Sequence, residues 1–232
     1  LMYLRGFYRT EKLHLELGDV AASYNPMVLS TSARGAKVAY QIGDRDNGWD
    51  FGLIGGLQKA TWEELYDSTS DESVDRYVAG IKTTWSHAPA QSVGAAISFV
   101  KDDSATADNG GALAIDSVES KTAGVDWNWR FNRYLSIRGE TAYNQSDLNT
   151  SDSIDDDDAG AIRIKVYTKP IPRSLRLNFL YERFDTDFKP VIASASADRE
   201  RFENDAEWMI SREFKARLTL KHSQDNLDGA LG

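Results

Sequence analysis

Lysine and arginine recur at alternate positions in several short segments of this chain, with apolar residues between them. In one such segment Arg163 and Lys165 alternate with Ile162, Ile164 and Val166. Because successive side chains of a β-strand point to opposite sides, this spacing predicts strands with one charged face and one apolar face. Cations that line a water-filled space concentrate anions, so the chemistry expected of the charged face is selection of solutes by charge.

The predicted charged face has a basic excess and a smaller acidic set. The cations expected to line an interior are Lys37, Arg76, Lys82, Arg130, Arg138, Arg163, Lys165, Arg176, Lys215, Arg217 and Lys221. The carboxylates expected there are Glu16, Asp50, Asp126, Glu140, Glu182 and Glu207. An open interior of this composition would favour anionic solutes. The alternative is that the charges pair across neighbouring strands and fill the interior, since barrels of about eight strands are filled and barrels of about sixteen are channels.

The apolar face is clearest between Thr122 and Tyr143, where two predicted strands are joined by a short turn. The residues expected to face lipid are Trp127, Trp129, Ile137, Ile162, Ile164, Leu175, Leu177, Phe179, Trp208 and Leu218. Aromatic residues also cluster near predicted strand ends, where amphipathic rings would lie at the two membrane interfaces. A soluble antiparallel sheet shows the same alternation, so a soluble all-β binding module is the competing interpretation.

Segments with this period number about twelve, and helical apolar spacing is not sustained anywhere. The predicted strands are residues 1–8, 12–17, 34–42, 49–59, 74–85, 92–101, 122–131, 134–143, 160–168, 174–184, 205–211 and 214–222. The chain is therefore expected to form a single all-β domain over residues 1–232.

Short and long connections alternate strictly between these strands. The short ones are residues 43–48, 86–90, 132–133, 169–173 and 212–213, and the long ones are residues 18–33, 60–73, 102–121, 144–159 and 185–204. This order is typical of an antiparallel meander with turns at one end and loops at the other. The least polar long connection contains Tyr24, Met27, Val28 and Leu29. We expect it to pack against the rim of a barrel; insertion into the interior or contact with a partner is the alternative.

With these features the chain resembles the bacterial outer-membrane β-barrel proteins, and among them the porin-like barrels of modest strand number. The resemblance covers nearly the whole length and is architectural. It implies an antiparallel up-and-down transmembrane β-barrel in the outer membrane, in contact with the lipid bilayer. Because the sequence starts within a predicted strand and does not end on a strand with a terminal aromatic residue, we expect a segment of a longer chain.

The resemblance implies a passive pore, or the membrane-embedded part of a larger transport or secretion assembly that includes other chains. The basic excess favours anionic solutes. A filled structural barrel that anchors a periplasmic or surface partner is the first alternative, and the soluble binding module is the second.

Other functions are not expected. The net charge of -9 disfavours nucleic acid as a partner, and the absence of cysteine excludes disulfides and thiolate metal sites. His14, His87 and His222 have no serine or carboxylate at a recognisable motif spacing, so no enzyme is expected. The acidic segment from Asp152 to Asp158 offers hard oxygen ligands for Ca²⁺ but lacks the spacing of an EF-hand loop. We expect it to be a solvated loop, with no metal and no cofactor.

Overall fold

The computed structural model describes residues 4–44, 46–58, 75–88, 90–103, 117–148, 157–193, 197–225 and 227. The strands are β1 (Arg5–Arg9), β2 (Leu13–Ser23), β3 (Ser30–Asp44), β4 (Asn47–Gln58), β5 (Arg76–Ala88), β6 (Gln91–Asp102), β7 (Glu119–Asn132), β8 (Leu135–Asp147), β9 (Asp157–Ile171), β10 (Leu175–Phe184), β11 (Arg199–Met209) and β12 (Lys215–Asp225). Nowhere in these ranges does a helix occur that has the length and apolar character needed to cross a membrane.

The strands form one 12-stranded antiparallel sheet in chain order. Each inner strand pairs with the strand before it and the strand after it, as β6 does with β5 and β7. The connections after β1, β3, β5, β7, β9 and β11 are short, and those between them are longer. The predicted all-β, up-and-down arrangement is confirmed. The sheet is open, because β1 and β12 are edge strands that each pair on one side.

Several strands extend beyond the predicted limits at the end of the sheet that carries the long connections. The sequence predicts a connection over residues 18–33, but β2 continues to Ser23 and β3 begins at Ser30. This prediction is wrong because Ala, Ser and Gly side chains are too small to show an apolar alternation, although the ladder still pairs Ala22 with Thr31. Residues 199–204 also belong to a strand, and they escape prediction because charged residues lie on both faces.

The two faces of the sheet differ sharply in burial. In β6, Gly94, Ala96, Ser98, Val100 and Asp102 are buried, whereas Val93, Ala95, Ile97, Phe99 and Lys101 are exposed. We call the face that carries Ser98 the inner face and the opposite one the outer face. The outer face presents large apolar side chains to the exterior; Ile97 and Phe99, for example, are 44% and 45% exposed.

Two connections from the same end of the sheet cover part of the inner face. The β2–β3 connection buries Met27, Val28 and Leu29 completely, and the β10–β11 connection buries Phe188 and Ile192. The backbone nitrogen of Ser30 donates a hydrogen bond of 2.7 Å to the carbonyl oxygen of Ile192, which joins the two connections. Together with small side chains of the strands, they form the one buried apolar cluster of the described residues.

The inner face is concave. Tyr24 packs over Gly52 of β4 and also lines a cavity that includes Arg163 of β9. In a flat sheet β4 and β9 would lie about 24 Å apart, which is farther than one tyrosine can span. The sheet therefore curves around the connection that carries Tyr24.

Candidate functional site

The register places all the predicted charged residues on the inner face. Lys37 lies opposite Glu16, Arg76 opposite Asp102 and Arg217 opposite Glu207. The same ladders place Lys82, Arg130, Arg138, Arg163, Lys165, Arg176, Lys215, Lys221, Asp126, Glu140 and Glu182 on that face. Their function as pore-lining residues stays a prediction.

The register places the ten predicted lipid-facing residues on the outer face. Trp129 lies opposite Ile137, and Trp208 lies opposite Leu175. The remaining members are Trp127, Ile162, Ile164, Leu177, Phe179 and Leu218. Contact with lipid stays a prediction.

A network of ion pairs centred on Glu182 crosses strands β8 to β11 of the inner face. Arg163 contacts Glu140 at 2.7 Å and Glu182 at 2.9 Å. Glu182 also accepts a hydrogen bond of 2.8 Å from Arg199, and Arg201 lies 3.7 Å away. Because Glu182 is buried, its charge requires these partners. This part of the inner face is therefore electrically compensated.

Most of the other predicted cations also have carboxylate partners. The pairs are Lys37 with Glu16 (3.3 Å), Arg76 with Asp102 (2.7 Å), Arg176 with Glu207 (3.6 Å), Lys215 with Glu207 (3.0 Å), Arg217 with Asp205 (2.8 Å) and Lys221 with Glu203 (2.5 Å). The basic excess of the predicted inner-face set is thus partly offset by cross-strand pairing. Asp102 and Glu203 belong to segments that were predicted as long connections, so their contribution could not be foreseen.

Two adjoining cavities lie on the inner face. The larger, of about 540 Å³, is lined mostly by inner-face residues of β8 to β12, including Ser136, Tyr167 and Asn178. The smaller, of about 400 Å³, lies between β7–β9 and the connection that carries Tyr24 and Pro26. Both are lined by Arg138 and Lys165, which therefore lie where the two cavities meet.

Arg138 and Lys165 are two of the four predicted cations that have no carboxylate within 4.0 Å among the described residues; the other two are Lys82 and Arg130. Arg138 and Lys165 lie directly opposite each other on β8 and β9. Arg138 donates a hydrogen bond of 3.0 Å from Nε to Oδ1 of Asn128, a neutral group. Like charges directly opposite on neighbouring strands repel each other. Of the carboxylates that line the same cavities, Glu140, Asp205 and Glu203 pair with Arg163, Arg217 and Lys221 instead.

The β2–β3 connection reaches deep into the concavity. Ser98 Oγ donates a hydrogen bond of 2.8 Å to the carbonyl oxygen of Val28, and Leu29 lies over the α-carbon of Gly80. Gly80 is about 13 Å along β5 from the start of that strand. The expectation that this segment packs against the rim is therefore wrong, and the alternative of insertion holds. The run of apolar residues from Pro26 to Leu29 in an otherwise polar connection was the sequence feature that pointed to it.

Tyr24 lies at the base of this connection. Its hydroxyl is buried and has no hydrogen-bond partner among the described residues, and burial raises the pKa of Tyr24 to about 12. Asn25 holds the turn together, because its Oδ1 accepts a hydrogen bond of 2.9 Å from the backbone nitrogen of Met27. The connection is thus an ordered part of the inner face.

The three histidines lie apart from one another. His14 Nε2 is 3.5 Å from Oε1 of Glu16 on the inner face, His87 stacks on Trp85 on the outer face, and His222 lies opposite Phe202. Within the described ranges no three His, Asp or Glu side chains converge as a metal site would require. Most of the acidic segment Asp152–Asp158 lies outside the described residues.

No model of a known protein family matches the chain, and no curated protein matches it either.

Proposed function

We propose that this protein is an outer-membrane β-barrel that acts as a passive pore for small anionic solutes. The observation that carries the proposal is that the distribution of apolar and charged side chains is the reverse of that in a soluble protein. Apolar side chains such as Phe51, Leu53 and Ile97 are exposed on the outer face, and charged networks lie on the inner face. A soluble protein rarely exposes an apolar surface of this extent. A barrel in lipid requires it.

The strand lengths support the proposal. Strands β2 to β12 contain between 10 and 15 residues each. A tilted strand needs about 9–11 residues to cross the hydrocarbon core of a bilayer. Aromatic residues such as Trp49, Trp85 and Phe131 lie near strand ends, where membrane interfaces would be.

Membrane insertion requires that the two open edges be covered. In lipid every backbone N–H and C=O group must be paired, so β1 and β12 must pair with each other or with further strands. The proposal therefore includes closure, either within this chain or by strands of a larger assembly.

Conductance in planar bilayers tests the pore directly. We expect the reconstituted protein to give unitary current steps and a reversal potential that shows preference for chloride over potassium. A specific observation favours a second function: the buried β2–β3 connection and the ion pairs fill part of the concavity. A filled barrel that anchors a partner would give no unitary steps in the same experiment.

A further inference from the structure

We propose that Arg138 and Lys165 form a binding site for a soluble oxyanion of the phosphate or carboxylate class. The site lies on the inner face, where the two cavities meet. The inference deepens the proposed function, because it names the class of solute, and it rests on the inner face being open to water.

Neutral side chains flank the two cations along their row of the sheet. Across the sheet the inner-face row runs from Asn128 through Arg138 and Lys165 to Leu180, so a neutral residue flanks the pair on each side. In the adjacent row of the same two strands, Glu140 lies opposite Arg163 and contacts it at 2.7 Å. Charge pairing is thus followed in the neighbouring row and broken at Arg138 and Lys165.

The spacing and the donor geometry of Arg138 and Lys165 suit one shared oxyanion. Side chains directly opposite on antiparallel strands have Cβ atoms about 4.5–5.5 Å apart, so both cationic groups can reach one bound anion. An arginine presents a planar fork that binds two oxygens of a carboxylate or phosphate, and a lysine adds a compact charge. A single oxyanion between them would satisfy both donors and remove their mutual repulsion.

The cavities around Arg138 and Lys165 leave room for a bound solute. Both side chains are exposed to the cavities rather than enclosed, and the larger cavity of about 540 Å³ can hold the body of an organic anion as well as phosphate. Its wall carries hydroxyl and amide groups from Ser136, Tyr167 and Asn178. Its two carboxylates, Glu203 and Asp205, pair with Lys221 and Arg217. The ligand class that fits is therefore an oxyanion on a small, hydrogen-bonding solute.

Binding can be measured without conduction. We would titrate inorganic phosphate into the full chain, refolded in a detergent that carries no phosphate, and follow heat release and melting temperature, with chloride as the reference anion. Phosphate is expected to bind more tightly than chloride and to raise the melting temperature. The variants R138Q and K165Q should each weaken phosphate binding by about tenfold or more, since each loses a hydrogen bond to a charged group.

The matched control is R176Q. Arg176 is also an inner-face cation, but it lies outside both cavities and has Glu207 as its partner. We expect R176Q to bind phosphate within about twofold of the unchanged protein, because long-range attraction between exposed charges is screened by salt. Both cavity variants should fold, and their melting temperature without phosphate should not fall, because each removes a repulsion.

Three results would overturn the site: equal affinity for phosphate and chloride, an equal loss of affinity in R176Q and the cavity variants, or phosphate binding seen only with phospholipid present. Its failure is distinguishable from failure of the pore. Phosphate binding without unitary current would leave the site and reject the pore. A chloride current that phosphate does not block, together with no measurable phosphate binding, would support the pore and reject the site.

Discussion

Truncation of Leu29 tests whether the β2–β3 connection is packed inside the concavity. Leu29 is fully buried, together with its neighbours Met27 and Val28, and its side chain lies over Gly80 in the middle of the sheet. Leucine-to-alanine substitutions at such positions cost about 2–5 kcal/mol, through lost burial and a residual cavity. We expect L29A to lie toward the lower end of that range, because a connection can move to fill part of the space.

The assay is equilibrium urea unfolding in lipid vesicles, followed by tryptophan fluorescence. The matched control is L148A, since Leu148 follows β8 at the same end of the sheet but is 40% exposed. That substitution should change the free energy of unfolding by no more than about 0.5 kcal/mol. An equally small effect of L29A would refute the inserted position of the connection.

Three further substitutions test the charge network, the outer face and the buried tyrosine. R163Q should lower the free energy of unfolding by about 1–3 kcal/mol in the same urea assay, because Glu140 loses its partner while Glu182 keeps others; no change would show that the network is not formed. I164R should cost about 2–4 kcal/mol near the bilayer midplane, whereas K165Q should not lower stability, and equal damage by both would contradict the assignment of faces. Burial raises the pKa of Tyr24 to about 12, so the folded state holds this proton more strongly than the unfolded state and loses stability as pH rises from about 10 to 12. Y24F should reduce that alkaline loss in urea unfolding measured at each pH, and an unchanged loss would mean that Tyr24 is not its source.

The strand pattern was the part of the fold that the sequence could predict. The alternation of Trp127, Trp129 and Ile137 with Asn128, Arg130 and Arg138 follows directly from the period of a β-strand, and the ladders reproduce it. The limits of the strands could not be predicted where side chains are small, as at Ala22 and Thr31, because pairing there depends on backbone hydrogen bonds rather than on an apolar pattern.

The candidate site could not be predicted from the sequence, because its position depends on the register of the strands. Lysine and arginine at every second position predict a charged face, but they do not say which cation lies opposite which carboxylate. Arg163 and Lys165 are equivalent in the sequence pattern, yet one lies opposite Glu140 and the other opposite Arg138. A shift of the ladder by two residues would place Lys165 opposite Glu140, or Arg163 opposite Arg138, without changing either face.

The central claim is that the outer face meets lipid and the inner face meets water. The chain has no cysteine, so single cysteines can be introduced and spin-labelled without a background. Labels along β9 at outer positions Ile162, Ile164 and Val166 and at inner positions Lys165 and Tyr167, which line the larger cavity, should show accessibility that alternates in lipid vesicles. Oxygen, which dissolves in lipid, should reach the outer labels, and a water-soluble nickel complex should be excluded from them. Outer labels that the nickel complex reaches freely, with no alternation along the strand, would contradict the account.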